Sequence, residues 1–294
     1  MTDYVVMSTL EQSQLLMPRT LEEALRWQGD EKTRGLPLAG GSDLMVQWEA
    51  GVRPVPSRVL SIKNLRELRG LAETETQLVI GAGETHAALR RSPLVQQFAP
   101  SLAEAAATVG GAQIQALGTI GGSIGNASPA GDLAPSLLVA EADVVVRSVR
   151  GERVIPLRAF LVGYRKLDLE PDELIVQFRL AKLPAGGREG WRKLGPRAAQ
   201  AISKVMGSYR GQLVAGRVKS FAVSLGSVAP TAVRLTALEQ WVAGRTLDAD
   251  TLLEAERRAA DEVKPIADIR STAEYRKWVS GRLVRGFLEQ LADG

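Results

Sequence analysis

The stretch that most constrains the fold is Thr119-Ile120-Gly121-Gly122-Ser123-Ile124-Gly125-Asn126-Ala127-Ser128-Pro129-Ala130-Gly131-Asp132. Its fourteen residues hold four glycines, two serines, one Asn and one Asp, and neither Lys nor Arg. Glycine accepts φ > 0 and carries no side chain, so such a run can turn several main-chain N–H groups toward one point. A concave set of N–H donors is an anion nest, and phosphate is its usual occupant. Asp132 then opens the apolar run Leu133-Ala134-Pro135-Ser136-Leu137-Leu138-Val139-Ala140, which reads as a helix with an acidic N-cap.

A second glycine turn lies upstream. Leu36-Pro37-Leu38-Ala39 reads as a short strand that runs into Gly40-Gly41-Ser42-Asp43-Leu44-Met45-Val46. A strand, a Gly-Gly turn and a helix start make the layout of an anion site, because the turn exposes N–H groups and the helix N-terminus adds partial positive charge. Alone, this turn also fits an ordinary strand–turn–helix. Together the two turns suggest a ligand with two phosphates, or one extended ligand clamped between subdomains. A dinucleotide such as FAD fits, its pyrophosphate neutralised by N–H dipoles rather than salt bridges. A Rossmann site would show G-x-G-x-x-G, and Gly81-Ala82-Gly83 lacks the third glycine.

Composition removes several other chemistries. With no cysteine in 294 residues, disulfides, thiolate nucleophiles and cysteine-ligated iron–sulfur clusters are excluded within the chain. The lone histidine, His86, excludes a His-rich metal site, and no nucleophile elbow accompanies it. Net charge is +4 with no long run of one sign, and aromatics make up 5% of residues, which argues against nucleic acid as a partner. No apolar run approaches the roughly 20 residues of a membrane span. Asp3 and Glu11 and the lack of a basic, apolar leader lead us to expect a cytoplasmic protein.

The order of elements is α+β, with short strands and no βαβ rhythm. Thr20 with Glu23 forms a capping box that starts a helix ending at Gly29-Asp30. Asn64 with Glu67 reads as another cap, and Glu84-Thr85-His86 starts a helix through Arg91. Pro100 opens an alanine-rich helix that stops at Gly110-Gly111. Asp143 to Arg147 and Arg153 to Pro156 form a hairpin around Arg150-Gly151, and Glu173 to Leu180 is a strand. Gln212 to Ala215 and Ser220 to Leu225 pair through Gly216-Arg217. Helices follow over Val233 to Ala243, Ala249 to Val263, and Thr272 onward. In the last, Tyr275, Val279, Leu283, Phe287 and Leu291 form an apolar stripe, while Arg276, Lys277, Arg282 and Arg285 read as a solvated face. Pro/Gly-rich connectors divide the chain into 1–55, 56–183 and 184–294.

At this point the residues carry a resemblance. Ala39-Gly40-Gly41-Ser42-Asp43-Leu44 looks like the first FAD-pyrophosphate loop of the flavin subunits of molybdenum hydroxylases, the medium subunit of carbon monoxide dehydrogenase and the FAD domain of xanthine dehydrogenase. Thr119 to Pro135 resembles that family's second loop, T-I-G-G-N-x-x-N-A-S-P-x-x-D-x-x-P. Trp191 to Arg197, Gly226 to Thr231 and Pro265 to Arg276 fit in the same order, so the likeness covers nearly the whole chain.

The resemblance implies a two-subdomain FAD-binding fold of the PCMH/vanillyl-alcohol-oxidase type, followed by a C-terminal α+β domain with an antiparallel sheet and helices. It implies that Leu38, Ala39, Gly40, Gly41 and Ser42, with Thr119, Gly121, Gly122 and Ser123, cradle the pyrophosphate. Asp43, Asn126 and Asp132 would order the loops or bind ribose and adenine-side groups, and Leu44 and Gly125 count among the cofactor-binding residues. Val109 and Gly110 fall at the adenine end, and Ile175 and Lys193 near the flavin ring. Ser123 stands where the family usually has Asn, which removes an amide donor. The implied partners are a molybdopterin-binding large subunit and a small subunit with two [2Fe–2S] clusters, with NAD, a quinone or oxygen as electron acceptor. No catalytic residue and no metal ligand is expected, since a flavin supplies the redox chemistry and the protein its orientation and electrostatics. Two other readings stay open: a stand-alone FAD-dependent oxidoreductase on this fold, and a non-catalytic nucleotide-binding assembly module.

Overall fold

The computed structural model describes residues 13–198 and 200–293. Asp3 and Glu11 lie outside the described residues. The first unit is a three-stranded parallel sheet in the order β1-β3-β2, from β1 (Gln14–Leu16), β2 (Leu36–Leu38) and β3 (Arg58–Ser61). The central strand β3 follows the Gly51–Pro56 connector, so the chain crosses the expected boundary at residue 55 within one sheet.

Helix α1 (Leu21–Gly29) covers this sheet, and Thr20 Oγ1 accepts from Glu23 N at 3.1 Å as its capping sequence requires. The Asn64–Glu67 pair does not cap a helix; a single 3-10 turn, Arg66–Leu68, stands there. Glu67 instead accepts from Leu21 N at 2.9 Å, closing the start of α1 from 46 residues away. Helix α2 (Leu44–Glu49) follows β2 and the first glycine turn.

The second unit is a five-stranded antiparallel sheet in the order β4-β5-β10-β6-β7. It contains β4 (Leu71–Glu73), β5 (Gln77–Gly81), β6 (Asp143–Ser148), β7 (Gly151–Pro156) and, at its centre, β10 (Leu174–Ala181). A small hairpin, β8 (Leu161–Gly163) and β9 (Lys166–Leu167), precedes β10. The β6–β7 hairpin matches the sequence reading, and Gly151 takes φ +133° at its turn. Both faces of β10 are covered, as its near-continuous apolar sequence demands. Ile175, Phe178 and Leu180 join the main core, while Leu174 and Val176 pack with Leu21, Leu25 and Leu60 of the first unit.

The main core lies between this sheet and five helices, α3 (His86–Arg91), α4 (Pro93–Phe98), α5 (Pro100–Ala107), α7 (Ile120–Gly125) and α8 (Leu133–Val139), while α6 (Ala112–Leu117) packs on α3 outside it. Helix α9 (Leu157–Phe160) closes one edge. The third unit is a four-stranded antiparallel sheet, β11 (Arg188–Leu194), β12 (Val205–Val214), β13 (Arg217–Gly226) and β14 (Val233–Arg234), packed on α10 (Thr236–Val242), α11 (Ala249–Glu262) and α12 (Ala273–Ala292). Val233 and Arg234, expected to start a helix, pair with β13 instead. In α12, Val279, Leu283, Phe287 and Leu291 are buried as the stripe predicts. Tyr275 is 38% exposed, against a tilted Trp278. Arg276, expected on the solvated face, is 4% exposed. It pairs with Asp268 at 2.7 Å and donates to Ser227 O at 2.8 Å. A guanidinium is buried only when paired, and the turn 268–271 supplies that pair.

Candidate functional site: two glycine segments in contact

The two glycine segments meet. Gly41 takes φ +68°, which an L side chain rarely adopts. A Cβ on Gly40 would stand 1.8 Å from Leu117 O, so the first turn rests directly on the backbone that leads into the second segment. A Cβ on Gly118 would be 3.0 Å from Ser42 Oγ and 2.9 Å from a ring carbon of His86. His86 is thus a packing residue behind the junction, buried at the start of α3 with Thr85 as its cap. Burial pushes its imidazole down to about 4.

The second segment is not the open nest that its composition suggests. Thr119 Oγ1 caps α7 by accepting from Gly122 N at 3.0 Å. Ile120 N donates to Glu84 O and Gly121 N to Ala82 O, both at 2.9 Å. A Cβ on Gly121 would lie 2.7 Å from Ala82 O, so glycine is needed for close approach rather than for positive φ. Gly122 and Gly125 are exposed and leave one face of α7 as bare backbone. Ser123 is half-buried on the same helix.

The open donors sit mainly in the first turn. Among the described residues, none accepts a hydrogen bond from the main-chain N–H of Gly40, Gly41, Ser42, Asp43 or Thr119. An N–H cluster of this kind, beside a glycine face without side chains, fits a pyrophosphate that passes between two segments. The donor set therefore suits a dinucleotide held by main-chain N–H groups.

Asp132 behaves differently from a helix cap. It precedes α8 in helical conformation and makes no capping bond. Its carboxylate accepts from Lys193 Nζ at 2.6 Å and from Ser203 Oγ at 3.0 Å. Burial raises the Asp132 carboxyl, and Lys193 and Ser203 draw it back. Lys193 also donates to Thr108 O at 3.1 Å, beside Val109 and Gly110. Ile175 lies on β10 under α7, its Cδ1 3.7 Å from where a Gly125 Cβ would be. Among the expected site residues, the contact of Lys193 is thus with Asp132, and that of Ile175 is with Gly125. Lys193 and Thr108 help to line a cleft of about 510 Å³ with Trp191, Arg192 and Tyr275.

One residue that links the two glycine segments carries no sequence signal. Gln47, buried on α2, donates from Nε2 to Asp43 and, at 3.2 Å, to Asn126 Oδ1. Its Oε1 accepts from Arg165 of the β8–β9 hairpin at 3.3 Å. A glutamine four residues after the turn carries no signal of this in a linear sequence.

Known proteins resemble this chain over most of its length. Residues 11–183 match the family described as the FAD binding domain in molybdopterin dehydrogenase, and residues 192–291 match the CO dehydrogenase flavoprotein C-terminal domain. The chain is 29% identical to the carbon monoxide dehydrogenase medium chain of Hydrogenophaga pseudoflava, over 91% of this chain and 93% of that one. It is 31% identical to a putative xanthine dehydrogenase FAD-binding subunit of Escherichia coli K12, over 87% and 88%. The solved carbon monoxide dehydrogenase from Hydrogenophaga pseudoflava superimposes with a TM-score of 0.89 at 29% identity, covering 94% of this chain and 95% of that chain. The chain therefore belongs to the FAD-binding subunits of molybdenum hydroxylase-type oxidoreductases, with FAD as its cofactor and the two-domain α+β fold of that family.

Proposed function

We propose that this chain is the flavin station of a cytoplasmic heteromeric dehydrogenase, working with a molybdopterin-binding large subunit and a [2Fe–2S] small subunit. When bound, FAD would supply the redox chemistry between the partner's clusters and an external acceptor such as NAD, a quinone or oxygen. The protein's part is binding and orientation. In this reading the N–H groups of Gly40, Gly41, Ser42, Asp43 and Thr119 hold the pyrophosphate, and Leu38, Ala39 and Leu44 shape the turn around them. Gly122 and Gly125, with Ser123 between them, offer a flat backbone face, Gly121 seats the segment on Ala82, and Asn126 fixes its end. Val109, Gly110, Asp132 and Lys193 bind one end of the cofactor, and Ile175 borders the other.

The observation that carries this reading is the set of main-chain donors at Gly40–Asp43 beside the bare face of α7. Complete absence of cysteine is consistent with clusters held by another chain. The test is to purify the chain, record its visible spectrum and reconstitute it with FAD. Absorbance of bound flavin with one FAD per chain is expected. A colourless protein that takes up no FAD would remove the proposal. Co-purification of a cysteine-rich small subunit separates the heteromeric assembly from a stand-alone flavoenzyme.

A further inference from the structure

Gln47 occupies a position that no sequence motif assigns, and its bonds reach three separate elements. Asp43 belongs to the first glycine turn, Asn126 ends the second segment, and Arg165 sits at the tip of the β8–β9 hairpin with φ +52°. Its main chain is committed as well: Gln47 O accepts from Val52 N at 2.9 Å and from Arg53 N at 3.3 Å, which fixes the helix end. A buried amide with both N–H groups and its oxygen bonded has one orientation. Moving α2 relative to α7 would break at least one of these bonds.

We infer that Gln47 is a positioning residue for the cofactor site, setting the spacing of the two glycine segments through Asp43 and Asn126. The inference rests on the flavoprotein reading above. It follows from the donor–acceptor pattern, since Asp43 and the Asn126 oxygen are both acceptors and can be joined only through a donor. Gln47 supplies two donors from one nitrogen. A glutamate of the same shape supplies none, and it would place a carboxylate against Asp43. It would keep the contact with Arg165 while removing the bonds to both Asp43 and Asn126.

The experiment titrates the full-length apo chain with FAD and follows quenching of flavin fluorescence. Wild type, Q47E, Q47M and the double variant D43N/Q47E are compared, with the thermal midpoint of each apo chain recorded. Loss of a buried hydrogen bond to a charged group predicts about tenfold weaker FAD binding in Q47E. Q47M, which removes the donors without adding charge, should bind more weakly than wild type and more tightly than Q47E. In D43N/Q47E the new amide donates to the new carboxylate, so this variant should bind FAD at least about threefold more tightly than Q47E. A residue that served stability alone would shift the thermal midpoints and leave the FAD affinity of the folded single variants at the wild-type value. FAD affinity within about twofold of wild type in both Q47E and Q47M would overturn the inference, as would a double variant no tighter than Q47E. Failure of the wild-type chain to bind FAD would instead overturn the flavoprotein reading.

Discussion

Lys193 Nζ lies 2.6 Å from Asp132 Oδ2, joining β11 of the third unit to the end of the glycine segment in the second, with both side chains largely withdrawn from solvent. Removing one partner of such a pair strands the other as a buried charge or a buried donor. K193M should therefore cost about 3 kcal/mol in urea unfolding, and D132N/K193M less than the sum of its single changes. Burial already holds the Asp132 carboxyl high, and Lys193 counters it. An acid raised by folding contributes most stability at low pH and loses it as pH rises through its folded value. K193M should raise that value further, so its stability should fall more steeply than wild type from acid toward neutral pH.

His86 gives a pH effect of opposite sign. Its folded value is about 4, against an unfolded value of 6.5. The neutral ring is favoured by folding, so its contribution is full above 6.5 and is lost as pH falls toward about 4. The ceiling on this loss is about 3 kcal/mol. Urea midpoints measured from neutral pH down to pH 4 should fall less in H86L than in wild type once each is referred to its own neutral value.

Gly40 tests the contact between the glycine segments. The alanine methyl would have to displace the Leu117 carbonyl, which is backbone and gives way only by moving the start of the second segment. G40A should lose about 3 kcal/mol of stability, at the upper end of core overpacking, and FAD binding should weaken with it. G125A is the control: its methyl makes an ordinary contact with Ile175, and it should fold as stably as wild type. Thermal midpoints of the two apo variants check the difference.

Arg276 tests the C-terminal unit. R276A leaves Asp268 without one of its partners and the Ser227 carbonyl without its donor. A loss of about 3 kcal/mol is expected, because both groups lose a charged partner inside the fold. R276K, which keeps the charge but not the fork, should recover part of it. Urea unfolding of the three proteins is the measurement.

Much of this was legible in the sequence, and the reasons for the rest are physical. Local signals held: Thr20, Thr85 and Thr272 each cap a helix, and the Asp143–Pro156 hairpin and the β12–β13 turn fall where the strand pattern puts them. The two glycine segments were legible in the sequence as turns of close backbone approach, and the tight contacts at Gly40 and Gly121 bear that out. The helical state of Ile120–Gly125 was not, because glycine disfavours helix by about 1 kcal/mol per residue, and it took distant acceptors at Ala82 and Glu84 to override that. Glu67, Arg276 and Gln47 were misread or missed for one reason. Each looks like a surface residue of its own element, and each is fixed by a partner 46, 49 or 79 residues away.

Strand β10 is the last of its sheet to be made, yet it sits at the centre. Until Ala181 has emerged from the ribosome, β4–β5 and β6–β7 are two separate ribbons, each with an unpaired edge. Ala82, which anchors Gly121, is itself held by Val176 of β10. The second glycine segment therefore has no fixed support during synthesis of the first half of the chain. Closure over so many residues is slow. FAD is thus expected to load only after β10 has been made, because the acceptor that seats Gly121 is itself held by that strand.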